Sequence, residues 1–389
     1  MLPSLASFLL FVSPIVIADN YAVLVAGSKG YSNYRHQADV CHAYQILKRN
    51  GIPEDNIITM AYDDIAHAFR NPYKGKLFNK PTEKGTPGVD VYAGCKIDYK
   101  KGDVNPKTFL AVLKGDASAV KGKVLNTTAN DRVFINFADH GAPGLIAFPH
   151  GELHADDLNE ALQYMHDHNM YKELVFYLEA CESGSMFDGR LPSNISIFAT
   201  TAANGQESSW GTYCPPSSKV DGKNLHSCLG DLYSVNWMED ADKGDNTESL
   251  EKQYEIVKNL TTRSHVSQFG ETDFDTEPAD HFWGRIAAPA SHPSEASSPD
   301  IKTVSSIDSR DANLASLYSL YLGSNTKNLT ERGLLAQELI DEIKFRQWAD
   351  KLFHRIAEDV MSENNGMLSE ALYGHRAPTL FACHRQAIA

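Results

Sequence analysis

The sequence is short of cysteine, of positive charge and of long apolar runs. Six cysteines in 389 residues are too few for a disulfide scaffold. No two of them form a Cys-x-x-Cys pair, which argues against a zinc ribbon or a thioredoxin-type motif. Lys and Arg total 36 against 50 Asp and Glu, a formal net charge of −14. That balance offers no basic face for a nucleic-acid partner. It suits a protein whose carboxylates titrate in an acidic compartment. Beyond the N-terminus no stretch is long and apolar enough to span a bilayer, so a soluble mature protein is expected. No metal or organic cofactor is implied.

What is there is ordinary globular composition, 42% hydrophobic and 22% charged. It can build one large core and a smaller accessory region. Residues 5–17 form a mostly apolar run ending in Val16-Ile17-Ala18, although no Lys or Arg precedes it. The pattern reads as a signal peptide cut after Ala18. Behind it stand four Asn-x-Ser/Thr sequons, at Asn126, Asn194, Asn259 and Asn328. Together these features describe a glycosylated secretory protein. Cys214 and Cys228 bracket a turn-rich stretch, and a local bridge between them is expected in an oxidising compartment.

Along the chain, apolar runs alternate with helical periodicity. Strands are expected at 21–27, 56–60, 132–138, 173–180 and 195–200, with helices at 37–50, 106–114, 155–168, 230–241 and 249–260. This alternation predicts an α/β domain with a mostly parallel sheet flanked by helices. Residues 70–104 read as a long loop. Residues 287–299 are small, Pro-rich and patternless, a linker. Beyond it, residues 331–361 have helical spacing.

In parallel sheets, functional residues gather at the carboxyl ends of strands. Asp139-His140-Gly141 follows one predicted strand and Cys181-Glu182-Ser183-Gly184 follows the next. A lone Cys after an apolar strand is more often a core residue, and a lone His-Gly is usually a turn. Both on consecutive strands point to a thiolate and its base. The glycines let a substrate backbone approach, and the N–H groups of Gly141 and Cys181 are candidates for an oxyanion hole.

Longer motifs carry a resemblance. They are Asn33-Tyr-Arg-His-Gln-Ala-Asp39, Asp139-His-Gly-Ala-Pro143, Glu179-Ala-Cys-Glu-Ser-Gly-Ser185, Thr200-Thr-Ala-Ala203 and Tyr233-Ser-Val-Asn-Trp-Met-Glu-Asp240. Together they resemble the legumain family of asparaginyl endopeptidases, from Tyr21 to about Gly270. The resemblance implies a caspase-like α/β fold with a small C-terminal helical prodomain. It implies Cys181 as nucleophile, His140 as catalytic histidine and Asn33 as the residue that orients it. Arg35, Glu179 and Asp231 match the walls of a pocket for the asparagine side chain, and His36 adjoins them. Ser208 and Ser209 match a segment that holds the substrate backbone. In some relatives Asp139 cyclises to a succinimide. A carboxamide offers one acceptor and two donors, which an Arg fork and carboxylates can meet.

The expected organisation is a signal peptide at 1–18, a catalytic domain at 19–286, a linker or activation peptide at 287–324 and a helical prodomain at 325–389. Asn325 is the expected self-processing site. The expected activity is cleavage after asparagine, and after aspartate in acid, by a zymogen of the lysosome, vacuole or secretory route. Implied partners are protein and peptide substrates and cystatin-type inhibitors. Two other readings remain. An asparaginyl transpeptidase would share the acyl-enzyme, and the segment around Tyr213-Cys-Pro-Pro looks like the plant branch, where ligation is common. A non-catalytic binding protein on the same scaffold is the rival of a different class.

Overall fold

The computed structural model describes residues 19–244, 248–284, 305–324 and 328–361. The expected signal peptide, Asn325, Cys383 and residues 287–304 of the expected linker lie outside the described residues.

Six strands form the central sheet: β1 (Asn20–Ala26), β2 (Ile57–Ala61), β3 (Arg132–Ala138), β4 (Glu173–Glu179), β5 (Ile197–Thr201) and β6 (Ser267–Gly270). Their spatial order is β6-β5-β4-β3-β1-β2. All pairings are parallel except β6 with β5. The expected mostly parallel sheet flanked by helices is therefore what the chain forms. The sequence reading did not include β6, whose four residues are mostly polar or small and lie at the sheet edge.

Alternation along the strands sends side chains to two cores. Val23 and Val25 of β1 enter one, with Phe176 and Leu178 of β4. Ala22 and Leu24 of β1 enter the other, with Val175 and Tyr177 of β4. The first core is closed by α2 (Pro106–Leu113) and α3 (Ala155–Asp167), through residues such as Phe109, Leu158 and Leu162. The second is closed by α1 (Tyr34–Arg49), α4 (Leu232–Ala241), α5 (Leu250–Leu260) and the short α6 (Asp280–Trp283), through Tyr44, Trp237, Val257 and Trp283. Phe134 of β3 meets Trp237 edge-on, with centroids 5.8 Å apart. Helix starts follow local chemistry. Asn105 caps α2 by accepting from Thr108 N, with Pro106 at the first helical position. Ser249 caps α5 by accepting from Lys252 N.

Two features place the site. The register aligns Ala26 with Ala138 and Ala138 with Glu179, so β1, β3 and β4 end at one level. The chain also leaves β1 for β2 on one side and returns to β3 on the other. That is a topological switch point, where open α/β sheets hold ligands.

Among the described residues there are two disulfides. Cys214–Cys228 is the expected local bridge. Cys41–Cys95 was not read from the sequence, and it ties α1 to the 70–104 loop across 54 residues. All four sequon asparagines are exposed. Residues 305–324, expected within the linker, contain a short strand (Ile307–Asp308) and α7 (Ala312–Gly323), followed by α8 (Leu329–Met361). Among the described residues no helix is long and apolar enough to cross a membrane.

Candidate active site

The loops leaving β1, β3 and β4 bring the expected residues together. Gly27 ends β1 against Ala138, its N–H donating to that carbonyl at 3.1 Å. A Cβ on Gly27 would lie 2.5 Å from Asp139 Oδ2, so only glycine fits there. The next turn presents Asn33. Its Nδ2 donates to the Lys29 carbonyl at 2.8 Å, which leaves Oδ1 as the acceptor facing His140 Nε2 at 2.9 Å. His140 therefore donates from Nε2, and the neutral ring keeps its lone pair on Nδ1. This is the tautomer a base on the opposite side of the ring requires.

Gly141 follows His140 and packs on the next loop. A Cβ there would sit 2.2 Å from the Cys181 carbonyl oxygen. The histidine and cysteine loops thus touch through backbone. Cys181 lies outside both disulfides and is fully buried. Its Sγ is 3.7 Å from Ser209 Oγ. Glu182, next in the chain, has φ 49°, in the left-handed region uncommon for a side chain with a Cβ. A short helical turn, Ser183–Met186, starts there.

Beside this pair, Arg35 enters from the first turn of α1. It is fully buried, and its Nε donates to Asp231 Oδ1 at 2.7 Å. Glu179, the last residue of β4, accepts from Ser234 N at 2.9 Å and Ser234 Oγ at 3.0 Å through Oε2. Arg35 Nη2, Asp231 Oδ2 and Glu179 Oε1 are all buried without a hydrogen-bond partner. Burial and the nearby Asp231 raise Glu179 well above the usual carboxyl range. Burial also raises Asp231, against the pull of Arg35. The cluster therefore holds one guanidinium and carboxyls that resist sharing a second charge.

His36 stands between the two groups. Its Nδ1 is 2.6 Å from Ser28 Oγ and 3.3 Å from Asp139 Oδ1, and its Nε2 is 3.5 Å from Asp231 Oδ2. Its ring meets that of His140 edge-on at 5.0 Å. Burial, Arg35 and His140 all push His36 far below 6.5, so it stays neutral. Burial holds Asp139 well above its ordinary range. Among the described residues, His36, Asp139 and His140 form the one group whose ligand atoms lie within 4.8 Å of one another, a spacing a metal could use. Both rings already have hydrogen-bond partners, in Ser28 and Asn33.

Residues 307–310, within the expected linker, lie across this site. Strand Ile307–Asp308 pairs antiparallel with Trp210–Thr212, Ile307 opposite Gly211 and Asp308 opposite Trp210. Ser309 N donates to the Ser209 carbonyl at 3.0 Å, and Ser309 Oγ is 3.2 Å from Ser209 Oγ. Arg310 is only 3% exposed, and its guanidinium donates to Ser208 and to Glu182. Arg346 of α8 steadies the segment, donating to the Arg310 carbonyl at 2.7 Å. Ser208 and Ser209, expected to hold a substrate backbone, thus hold a segment of this chain. Sequence reasoning missed Ser28, Glu182, Ser309 and Arg310. Glu182 lay inside a quoted motif, whereas nothing local marked Ser309 or Arg310.

The sequence profile of the peptidase C13 family matches residues 20–285. Legumain of Homo sapiens is 44% identical over 383 residues, 95% of this chain and 82% of that protein. Hemoglobinase of Schistosoma mansoni is 46% identical over 355 residues, 90% of this chain and 79% of that one. Legumain of Canavalia ensiformis is 40% identical over 376 residues, 94% and 77% of the two chains. A thiol and an imidazole at neighbouring strand ends and a family match across the whole sheet lead to one conclusion: the chain belongs to the peptidase C13 family and is a cysteine-type endopeptidase.

Proposed function

We propose that the protein cleaves peptide bonds after asparagine, and after aspartate in acid, and that it is made as a zymogen. The observation that carries the specificity is the trio of buried, unpartnered polar atoms on Arg35, Asp231 and Glu179. Leaving such atoms unpaired costs about 1–3 kcal/mol each, so the pocket favours a side chain that meets all of them. A carboxamide does so, its oxygen accepting from Arg35 and its NH₂ donating to the two carboxyls. A protonated aspartate offers one acceptor and one donor in the same plane.

Cys181 is the nucleophile in this reading. His140 Nδ1 takes the thiol proton, and Asn33 holds the ring. The N–H groups of Gly141 and Cys181 receive the oxyanion. After the amine leaves with a proton from His140, water attacks the acyl-enzyme and releases the acid. Residues 305–311 support the zymogen reading, since they occupy the strand edge a substrate backbone would need. Cleavage at Asn325, between α7 and α8, is the proposed processing step. Two disulfides and four exposed sequons support a secretory route.

Matched peptide reporters ending in Asn, Asp and Gln test the reading, with acid-treated protein and its Cys181→Ala variant. Turnover of Asn over Gln by about 10⁴-fold is expected, because a pocket built for hydrogen bonds rejects a misfitted group strongly. Cleavage after Asp should grow relative to Asn as pH falls. Equal use of Asn and Gln, or activity surviving in Cys181→Ala, would sink it.

A further inference from the structure

A line of buried polar side chains leads away from the floor of the candidate pocket. Arg35, Asp39 and His42 stand on one face of α1, at helical spacing. Asp39 is fully buried. Its Oδ2 accepts from the backbone N–H of Asp231 at 3.1 Å, and its Oδ1 accepts from Asn79 Nδ2 at 2.7 Å. Asn79 Nδ2 also donates to the Leu229 carbonyl at 2.9 Å. Those two donations fix the amide, so Asn79 Oδ1 can only accept. It faces His42 Nδ1 at 2.8 Å. On the far side, His42 Nε2 lies 2.9 Å from Asp242 Oδ2. Asp242 also receives Arg49 at 2.8 Å. A ring whose two nitrogens both face acceptors is satisfied only when both carry protons. A neutral ring would turn a lone pair onto either Asn79 or Asp242.

We infer that His42, as an imidazolium, is a positioning residue for the specificity pocket: it fixes Asn79, Asn79 fixes Asp39, and Asp39 holds the Asp231 backbone beneath Arg35. The inference rests on the pocket reading of Arg35 and Asp231. The His42 side chain is only 15% exposed. The charged groups around it are Asp242 and Glu239 from α4 and its end, Arg49 from α1, and Lys80, which pairs with Glu239 at 3.3 Å. Burial alone would lower the ring. Asp242, the Asn79 bond and Glu239 outweigh it and raise the ring above 6.5. A base raised in the folded state lends its stability in full below its unfolded value and loses it as pH climbs through the folded one. The pocket floor is therefore firm in acid and loosens toward alkali.

Two variants test this, His42→Gln and Asp242→Asn. In the acid-activated protein, His42→Gln should raise KM for the Asn reporter about tenfold near pH 5, the worth of one lost hydrogen bond. Its kcat should stay within about threefold, because only binding is affected. Its KM should also lose the alkaline rise seen in the wild type. Asp242→Asn keeps the ring but removes the charge that holds its proton, and should move that rise about one pH unit toward acid. KM–pH curves of both variants that superimpose on wild type would overturn the inference, as would a fall in kcat with KM intact. If the wild type turns over no Asn reporter, the pocket reading fails instead. The unprocessed full chain then still decides His42. The melting-temperature gap between wild type and His42→Gln should be wide in acid and close in alkali, and a gap independent of pH would reject the role.

Discussion

The candidate catalytic histidine is oriented by a neighbour that the structure identifies. Asn33 accepts from His140 Nε2 because its own amide is anchored on Lys29. Removing that acceptor frees the ring to turn and to change tautomer. Asn33→Ala is expected to lower kcat by about 10²-fold with KM little changed, since positioned base catalysis is worth about 10²–10⁴-fold. Steady-state kinetics on the Asn reporter check it, and an unchanged kcat would remove Asn33 from the mechanism. At this scale the sequence was legible wherever short motifs sit at strand ends. Cys181, His140, Asn33 and Arg35, all named from such motifs, lie around one end of the sheet. The supporting residues were not legible. Asp39 and His42 share a helix face with Arg35, but a polar residue on a helix reads as solvated until its face is known to be buried. Asn79 lies in a loop without pattern. Its role depends on contacts with α1 and with Leu229, far away in the chain.

Elements were legible in proportion to their burial. β3, apolar throughout its core-facing positions, was read with its boundaries intact. The start of α1 was placed three residues late, because Arg35 and His36 break the apolar rhythm although both are buried. The three-stranded sheet of Gly141–Ala142, Leu145–Ala147 and Glu152–His154 went unread, its strands being too short for any period to show. The 70–104 loop has little regular structure and leans on Cys41–Cys95 for its place. Closing 54 residues removes more chain entropy than closing 14. The estimates are about 4 and about 3 kcal/mol respectively. Replacing Cys41 and Cys95 together by serine should therefore cost more stability than replacing Cys214 and Cys228, as read by urea unfolding. The reverse order would mean that the loop is held mainly by its other contacts.

Across the whole molecule, the C-terminal elements are attached to the catalytic domain at two levels. Inside, Arg310 is buried between Glu182 and Ser208. Outside, Arg70 grips Glu338 of α8 with both carboxylate oxygens, at 2.6 and 2.8 Å. Arg310→Ala should raise the activity of the unprocessed chain at neutral pH by about tenfold or more, since truncating one partner of a buried charged contact costs about 2–5 kcal/mol. Turnover of the Asn reporter, with intact mass confirmed, measures it. Activity no higher than wild type would show that other contacts suffice to keep the site shut. The sign of the pH effect at Glu182 is specific. Burial and the Cys181 charge push its carboxyl up to about 8, against Arg310. Arg310, which comes from the covering segment, pulls the other way, so protonating Glu182 in acid removes the charge that this contact rests on.

The pairing of Ile307–Asp308 with Trp210–Thr212 makes the cover an intramolecular competitor. The chain connects it covalently to the sheet it covers, so it competes without a bimolecular encounter. It docks by main-chain bonds that any extended peptide could copy, and places Ser309 where the backbone of Ser209 receives it. For the proposed zymogen, latency is then a property of covalent connection. A cut between residues 284 and 305 turns the same contacts into an ordinary bimolecular complex, and dilution alone becomes an activator.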